Sequence, residues 1–196
     1  MKSLLRGALG ILAGAALAAT ALAADLKIGL SVSLSGPNAS LGVPYAKGRQ
    51  AAVAYRPEIA GRKVVLTVLD DASDPTTAGR NARKLIEEEK VDIIMGTSGV
   101  PAAIAMAQVS RETKTPMIGL TPIGLPPADA EWLFTVAQPT QLMVNAVVEK
   151  MKVNGVKTVA YIGFTDAWGD LVWDALTKAA EPATRRKSGL ILPWLP

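Results

Sequence analysis

Short β-branched apolar runs alternate along the chain with longer segments in which apolar residues recur at helical spacing. The predicted strands cover Leu26–Ser33, Lys63–Leu69, Val91–Met95, Pro116–Leu120, Trp132–Val136 and Lys157–Ile162. The predicted helices cover Val43–Tyr55, a segment that Asp74 and Pro75 open, Pro101–Glu112, a segment from Pro139 to Asn154, and Leu171–Ala180. This alternation predicts an α/β fold with a parallel sheet flanked by helices.

The loop after the third strand carries the first candidate chemistry. Gly96, Thr97, Ser98 and Gly99 separate that strand from a helix that Pro101 suits at its first turn. In an open α/β sheet such a loop lies at the carboxyl end of its strand, where ligands bind. Its backbone N–H groups, the helix N-terminus and the two hydroxyls suit a carboxylate or another anion. The alternative is an ordinary βα turn in which Ser98 only caps the helix.

Three aspartates after the second strand invite a metal interpretation, which their spacing does not support. Asp70, Asp71 and Asp74 lack the alternating ligands, central glycine and distal glutamate of a calcium loop. Asp74 before Pro75 is typical of an N-cap followed by a first helical residue. We therefore predict a helix start here, with no metal and no cofactor.

Residues 1–23 are predicted to be a signal peptide. Lys2 and Arg6 form a basic start, an Ala/Leu/Gly-rich apolar run covers Ala8–Ala19, and Ala21-Leu22-Ala23 fits a small-x-small cleavage site. The apolar run is short for a retained membrane anchor, which is the alternative. We expect export to the periplasm.

Charge and composition exclude several functional classes. The net charge of +4 comes from the two ends, since residues 24–183 carry 16 basic and 17 acidic side chains. No basic face remains for a nucleic-acid partner. The 196-residue chain contains neither Cys nor His, which excludes disulfides, His-based catalytic triads and the usual His/Cys zinc sites. The sequence therefore counts against an enzyme.

Motifs after successive strands resemble those of the periplasmic leucine/isoleucine/valine-binding protein family, the substrate-binding components of ABC importers. The motifs are Leu34-Ser35-Gly36-Pro37 with Gly42, Leu69-Asp70-Asp71-Ala72-Ser73-Asp74-Pro75, Gly96-Thr97-Ser98, Thr115-Pro116-Met117-Ile118 and Gly163-Phe164-Thr165-Asp166-Ala167-Trp168-Gly169. They occur in family order from about Asp25 to Ala183. The resemblance implies a two-lobe periplasmic-binding-protein-like fold, in which an amino acid is clamped between α/β lobes, and a monomer that works with a membrane permease.

The resemblance also implies domain limits. Residues 24–120 would form the N-terminal lobe, residues 121–138 the hinge or crossover region, and residues 139–183 the start of a second, incomplete lobe. Residues 184–196 form an aberrant tail, basic and then apolar with two prolines, whose change in character suggests a frameshift. We expect the chain to be a truncated form that does not itself work as a high-affinity transport component.

Carried over by position, the resemblance implies a set of ligand-binding residues. The loop with Thr97 and Ser98 would bind the ligand carboxylate, and Thr121 with Ile123 would contact the ammonium and carboxylate groups. Leu41 would line the cleft, and Trp168 would close over the ligand from the second lobe. Trp168 stands where the family usually has Tyr, and Ile123 where it commonly has Thr. A packing role remains the alternative for Trp168.

Two other functional classes stay open on the sequence alone. One is a sensory or receptor ligand-binding domain of the same fold, which would need a transmembrane or signalling segment. The other is an exported hydrolase with Ser98 as nucleophile, for which the chain offers no His to activate the hydroxyl. Thermal stabilisation by amino acids, set against turnover of generic esters, separates binding from hydrolysis.

We predict cleavage by signal peptidase between Ala23 and Ala24, because small residues at positions 21 and 23 flank Leu22 after the apolar run. N-terminal sequencing of the periplasmic fraction should therefore begin at Ala24. Recovery of the chain with an intact Met1 in the membrane fraction would contradict the prediction.

Overall fold

A computed structural model of the protein describes residues 24–156 and 159–179. The predictions for residues 1–23 and 184–196 lie outside the described residues. Within the described part of the chain, no helix combines the length and the apolar character that a membrane crossing requires.

The described residues form one six-stranded sheet in the order β2-β3-β1-β4-β5-β6. Its strands are β1 (Leu26–Val32), β2 (Glu58–Ile59), β3 (Arg62–Asp70), β4 (Ile93–Gly96), β5 (Met117–Gly119) and β6 (Leu133–Thr135). All neighbouring strands are parallel except β2 and β3. The parallel α/β prediction is confirmed.

Within the described residues, five α-helices connect and follow the strands. They are α1 (Ala39–Tyr55), α2 (Pro75–Arg83), α3 (Val100–Thr113), α4 (Thr140–Val153) and α5 (Ala167–Ala179). A π-helical turn, Lys84–Glu88, extends α2, and a 3-10 turn, Pro127–Asp129, lies between β5 and β6. The Asp74 carboxylate caps α2 by accepting hydrogen bonds from the Thr77 N–H and hydroxyl, both at 2.7 Å. The predicted N-cap is confirmed.

Two apolar clusters cover the faces of the sheet. One joins α2, α3 and the sheet through fully buried side chains such as Leu85, Ile94 and Met106. The other lies under α1 and includes Leu30 and Val32 of β1. Full burial of one such side chain stabilises the fold by about 1.5–3 kcal/mol.

Helix α1 begins four residues earlier than predicted, at Ala39 rather than Val43. The predicted start would place Pro44 in the first turn, where its missing N–H costs nothing. In the structure, the Ala39 N–H donates to the Gly36 carbonyl at 3.1 Å and the Asn38 N–H donates to the Ser73 hydroxyl at 3.0 Å. The local turn and the contact with the distant Ser73 fix the start, and Pro44 lies inside the helix.

The second predicted strand is preceded by a hairpin that the sequence analysis missed. Ala60 and Gly61 have φ values of 50° and 77°, as a two-residue hairpin turn requires. They join the two-residue strand β2 to the start of β3, with Glu58 opposite Lys63.

After residue 130, β6 and α4 confirm a predicted strand and a predicted helix, whereas the segment before α5 differs from the prediction. Strand β6 pairs with β5 and so belongs to the same sheet as β1–β5. Residues 159–162 of the predicted strand Lys157–Ile162 are not a strand, because no described strand lies beside them, and Ile162 is 68% exposed. Along α4, Val144 is buried, whereas Leu142 and Val147 are mostly exposed.

Gly42 is predicted to be required for the close approach of α1 to the sheet. A Cβ at this position would lie 1.9 Å from the Ser33 carbonyl oxygen. Gly42→Ala should therefore lower the free energy of unfolding by at least about 1–3 kcal/mol, the typical cost of overpacking. Urea denaturation followed by circular dichroism measures this change.

Gly48→Ala in the same helix is the matched control. Nothing lies within 4 Å of a Cβ at Gly48. This change should stabilise the protein by about 0.5–1 kcal/mol, since alanine is the better helix former. Equal effects at the two positions would contradict the close-approach argument.

Candidate functional site

The buried Asp71 carboxylate joins the carboxyl ends of three neighbouring strands. Asp71 follows β3 and accepts a hydrogen bond from the Ser33 hydroxyl after β1 at 2.7 Å. It also accepts hydrogen bonds from the Thr97 hydroxyl after β4 and from the Ser73 N–H at 3.0 Å. Asp71, Ser33 and Thr97 are fully buried. The network therefore fixes the three strand ends relative to one another.

Ser98 extends this network toward solvent. Its hydroxyl oxygen accepts a hydrogen bond from the Ser33 N–H at 3.2 Å, and the residue is 6% exposed. Among the described residues, no acceptor takes the Ser98 hydroxyl proton. Gly99 follows as the N-cap of α3, whose first-turn N–H groups lack helical acceptors. The Ser98 hydroxyl and this helix end together suit an anion.

A cleft of about 810 Å³ opens in front of Ser98. Its walls come from the loop before α3, from α1, from the segments after β5 and β6, and from the start of α5 with the loop before it. The lining residues are Pro37, Asn38, Leu41, Tyr45, Arg49, Ser73, Ser98, Gly99, Val100, Pro101, Leu120, Thr121, Pro122, Val136, Ala137, Gln138, Met143, Phe164, Asp166 and Trp168.

The structure brings four of the six predicted site residues together. Leu41, Ser98, Thr121 and Trp168 line the cleft. Their convergence from four separate segments agrees with a binding site at the carboxyl end of the sheet.

Thr97 and Ile123, the other two predicted residues, do not line the cleft. The Thr97 side chain is fully buried, and its hydroxyl donates to Asp71. Ile123 packs against the apolar cluster between the sheet, α2 and α3. Thr97 therefore supports the loop, and Ile123 contributes to the core.

The cleft is also lined by Tyr45, Arg49 and Phe164, which were not predicted as site residues. Tyr45 and Arg49 follow Leu41 at intervals of four, so they share one face of α1. Had α1 been predicted to start at Ala39, Leu41 would have been placed on the same helix face as Tyr45 and Arg49. The guanidinium carbon of Arg49 lies 5.7 Å from the Tyr45 ring centroid, within cation–π range.

The Asp166 carboxylate fixes the start of α5, which forms the wall of the cleft opposite α1. Its Oδ1 accepts hydrogen bonds from the N–H groups of Trp168 at 3.0 Å and Gly169 at 3.1 Å, which fixes the first turn of α5. The Tyr161 hydroxyl donates to the Gly169 carbonyl at 3.2 Å. Burial, together with the negative charges of Asp166 and Asp170, raises the pKa of Tyr161 above its usual value, so its hydroxyl remains a donor.

The Asp70 carboxylate, which is not part of the buried Asp71 network, fixes the loop after β1 by hydrogen bonds. One carboxylate oxygen accepts from the N–H groups of Leu34 and Ala72, both at 2.8 Å, and of Ser35 at 3.2 Å. The other accepts from the Ser35 hydroxyl at 2.7 Å. Burial opposes the charge, but these hydrogen bonds outweigh it, and the pKa of Asp70 lies below its usual value.

The cleft has the chemistry of a binding site. Within residues 24–156 and 159–179, no three acidic, His or Cys side chains are grouped so as to hold a metal ion. Among the described residues, the Ser33 N–H is the hydrogen-bond partner of the Ser98 hydroxyl, and no basic side chain is hydrogen-bonded to it. The arrangement can bind an anion next to an apolar wall.

Comparison with known proteins agrees with this description. A family profile described as "Periplasmic binding protein" matches residues 25–184. The chain is 31% identical over 171 residues to the Leu/Ile/Val-binding protein homolog 3 of Brucella melitensis, in an alignment that covers 82% of this chain and 45% of the relative.

Solved structures give the same picture. An extracellular ligand-binding receptor from Rhodopseudomonas palustris HaA2 is 39% identical, with a TM-score of 0.75 over 80% of this chain and 43% of its own. A solute-binding protein of an ABC transporter from R. palustris BisB5, solved with 3,4-dihydroxybenzoic acid, is 25% identical, with a TM-score of 0.72 over 80% of this chain and 43% of its own. The chain thus spans less than half the length of these proteins.

Asp70→Asn is predicted to change how stability depends on pH. A carboxylate with a lowered folded-state pKa stabilises the fold above its ordinary value of 3.8 and loses that contribution as the pH falls through the lowered value. The difference in unfolding free energy between wild type and Asp70→Asn should therefore be steady above about pH 5 and shrink below it. Urea titrations at several pH values measure this difference.

Asp25→Asn serves as the control, because the Asp25 side chain accepts no hydrogen bond from the described residues. It should leave the unfolding free energy close to that of wild type at neutral pH. A difference for Asp70→Asn that stays constant into strong acid would contradict the prediction.

Proposed function

The chain belongs to the periplasmic binding protein family, and from this membership we propose that it is the solute-binding component of an ABC importer. In this proposal the solute-binding component acts in the periplasm, as a monomer, and delivers an amino acid or a related small carboxylate to a membrane permease. This chain, which matches less than half of its relatives' length, supplies part of the binding cleft. The observation that carries the proposal is the cleft in front of Ser98, where a buried network positions a hydroxyl beside the N-terminus of α3.

The ligand carboxylate is proposed to bind at Ser98. The hydroxyl has a proton to donate, and the first-turn N–H groups of α3 add further donors and a positive helix end. Since this position is largely buried, the hydrogen bonds form in a low-dielectric setting that strengthens them.

The rest of the ligand is proposed to lie between α1 and the start of α5. Leu41 and Tyr45 face this space from one side, and Phe164 and Trp168 from the other. An apolar or aromatic body fits such walls, because aromatic side chains contribute large contact areas. A branched-chain amino acid meets this requirement, and so does an aromatic acid such as the 3,4-dihydroxybenzoic acid in complex with the R. palustris BisB5 protein.

An amino-acid ligand also needs an acceptor for its ammonium group. Asp166 is the only carboxylate among the cleft-lining residues that the structure describes, and its Oδ1 is occupied by two backbone N–H groups. Its Oδ2 takes no hydrogen bond from the described residues. We therefore assign the ammonium group to Asp166 Oδ2 in this proposal.

The proposal predicts that Ser98→Ala weakens binding of the ligand carboxylate. The lost hydrogen bond to a charged group is worth roughly 1.5–3 kcal/mol, so the dissociation constant should rise about ten- to a hundredfold. Calorimetric titration with L-leucine, L-glutamine, benzoate and 3,4-dihydroxybenzoate, each up to millimolar concentrations, measures the change for whichever compound binds wild type.

Ser110→Ala, in helix α3 itself, is the matched control. Ser110 is also buried, and its hydroxyl donates to the Thr115 carbonyl at 2.6 Å, outside the cleft. This variant should lose stability but retain affinity. Equal affinities for wild type and Ser98→Ala would reduce Ser98 to a structural cap, and no binding of any amino acid or aromatic acid by wild type would overturn the proposed function.

A further inference from the structure

Arg49 is the only basic side chain among the cleft-lining residues that the structure describes. It is half-buried, and it forms no ion pair or hydrogen bond with any described residue. Partial burial of a cation without a paired anion costs free energy, which an anionic ligand would recover. The carboxylate at Ser98 and the ammonium at Asp166 leave this charge without a role.

The Arg49 side chain is held in place by Tyr45. The guanidinium carbon lies 5.7 Å from the Tyr45 ring centroid, and Tyr45 in turn packs against the apolar cluster under α1. A guanidinium stacked on a ring keeps its N–H edge available for a carboxylate. The cation is therefore oriented before any ligand arrives.

The position of Arg49 on α1 sets its separation from Ser98. Gly42 lies against Ser98, since a Cβ on Gly42 would be 2.8 Å from the Ser98 hydroxyl oxygen. Arg49 is two helical turns further along α1, about 10 Å of axial rise, and its side chain folds back over Tyr45, about 5 Å from Gly42 along the axis. Measured along the α1 axis alone, the two anion-binding groups are therefore separated by roughly 5–10 Å.

We propose that Arg49 and Tyr45 form a second anion subsite, and that the cleft selects ligands with two carboxylates over otherwise identical ligands with one. The proposal rests on the proposed function and names the substrate class of the same site: an acidic amino acid, or an aromatic dicarboxylate of similar length. One carboxylate binds at Ser98 and the start of α3, the other takes the free edge of the Arg49 guanidinium, and the body between them lies on Tyr45.

Matched ligand pairs test the proposal on the full chain. L-glutamate and L-glutamine differ only in an acid for an amide, and terephthalate and benzoate differ only in the second carboxylate. In at least one of these pairs, isothermal titration calorimetry should give the diacid a dissociation constant about ten- to a hundredfold lower than that of the monoacid. This factor is the typical effect of a hydrogen bond between charged groups. Added salt should reduce this preference, since the subsite is half-exposed.

Arg49→Gln should abolish the diacid preference and leave the affinity for the monoacid unchanged. Arg49→Lys keeps the positive charge but lacks the planar guanidinium group, so it should retain part of the diacid preference. Lys47→Gln is the matched control, because it removes a positive charge from the exposed face of the same helix, outside the cleft. It should leave the preference intact.

The outcomes separate this inference from the proposed function. Binding of L-glutamine or benzoate with no preference for the diacid overturns the second subsite alone. An equal loss of affinity for both members of a pair in Arg49→Gln also overturns it, because Arg49 would then hold the first carboxylate or the closed cleft. If a branched-chain amino acid or 3,4-dihydroxybenzoate binds but no diacid does, the second subsite alone fails. If none of these compounds binds, the proposed function fails and this inference with it.

Discussion

The burial of one carboxylate constrains the whole carboxyl edge of the sheet. A buried charge is tolerated only when hydrogen bonds replace its hydration, and Asp71 receives them from Ser33, Ser73 and Thr97. Each donor follows a different strand or sits in the adjoining turn, so the network holds only when β1, β3 and β4 have their observed register. Through the Ser33 N–H, the same network places Ser98 at the cleft. The site thus depends on a carboxylate that lies behind the cleft wall.

Features set by local chemistry could be predicted from the sequence. The order of strands and helices follows from apolar periodicity. The start of α2 follows from Asp74 and Pro75, since the Asp74 carboxylate accepts its hydrogen bonds from Thr77, only three residues ahead. The loop with Ser98 could also be located, because its glycines and hydroxyls stand directly after a buried strand. Here sequence and structure agree because the interactions that decide the outcome are short-range.

Features set by distant residues could not be predicted in the same way. The start of α1 depends on Ser73, thirty-five positions beyond Asn38. Thr97 and Ser98 are neighbours with similar side chains, yet one hydroxyl faces Asp71 and the other the cleft, which the sequence pattern does not distinguish. Residues 159–162 have strand-like composition without a partner strand, and backbone pairing rather than composition makes a strand. Arg49 was missed because its role depends on which face of α1 meets the cleft.

The hairpin at Ala60 and Gly61 has a consequence for how copies of this chain meet one another in concentrated solution. An uncovered sheet edge presents a row of free N–H and C=O groups on which a second chain can pair. Strand β2 covers the edge of β3 with only two residues, Glu58 and Ile59, and turns the outer rim antiparallel. The hairpin therefore blocks pairing only at the start of β3. Residues 64–70 of β3 have no paired strand on that side among the described residues, so they are the part of this edge on which a second chain could pair.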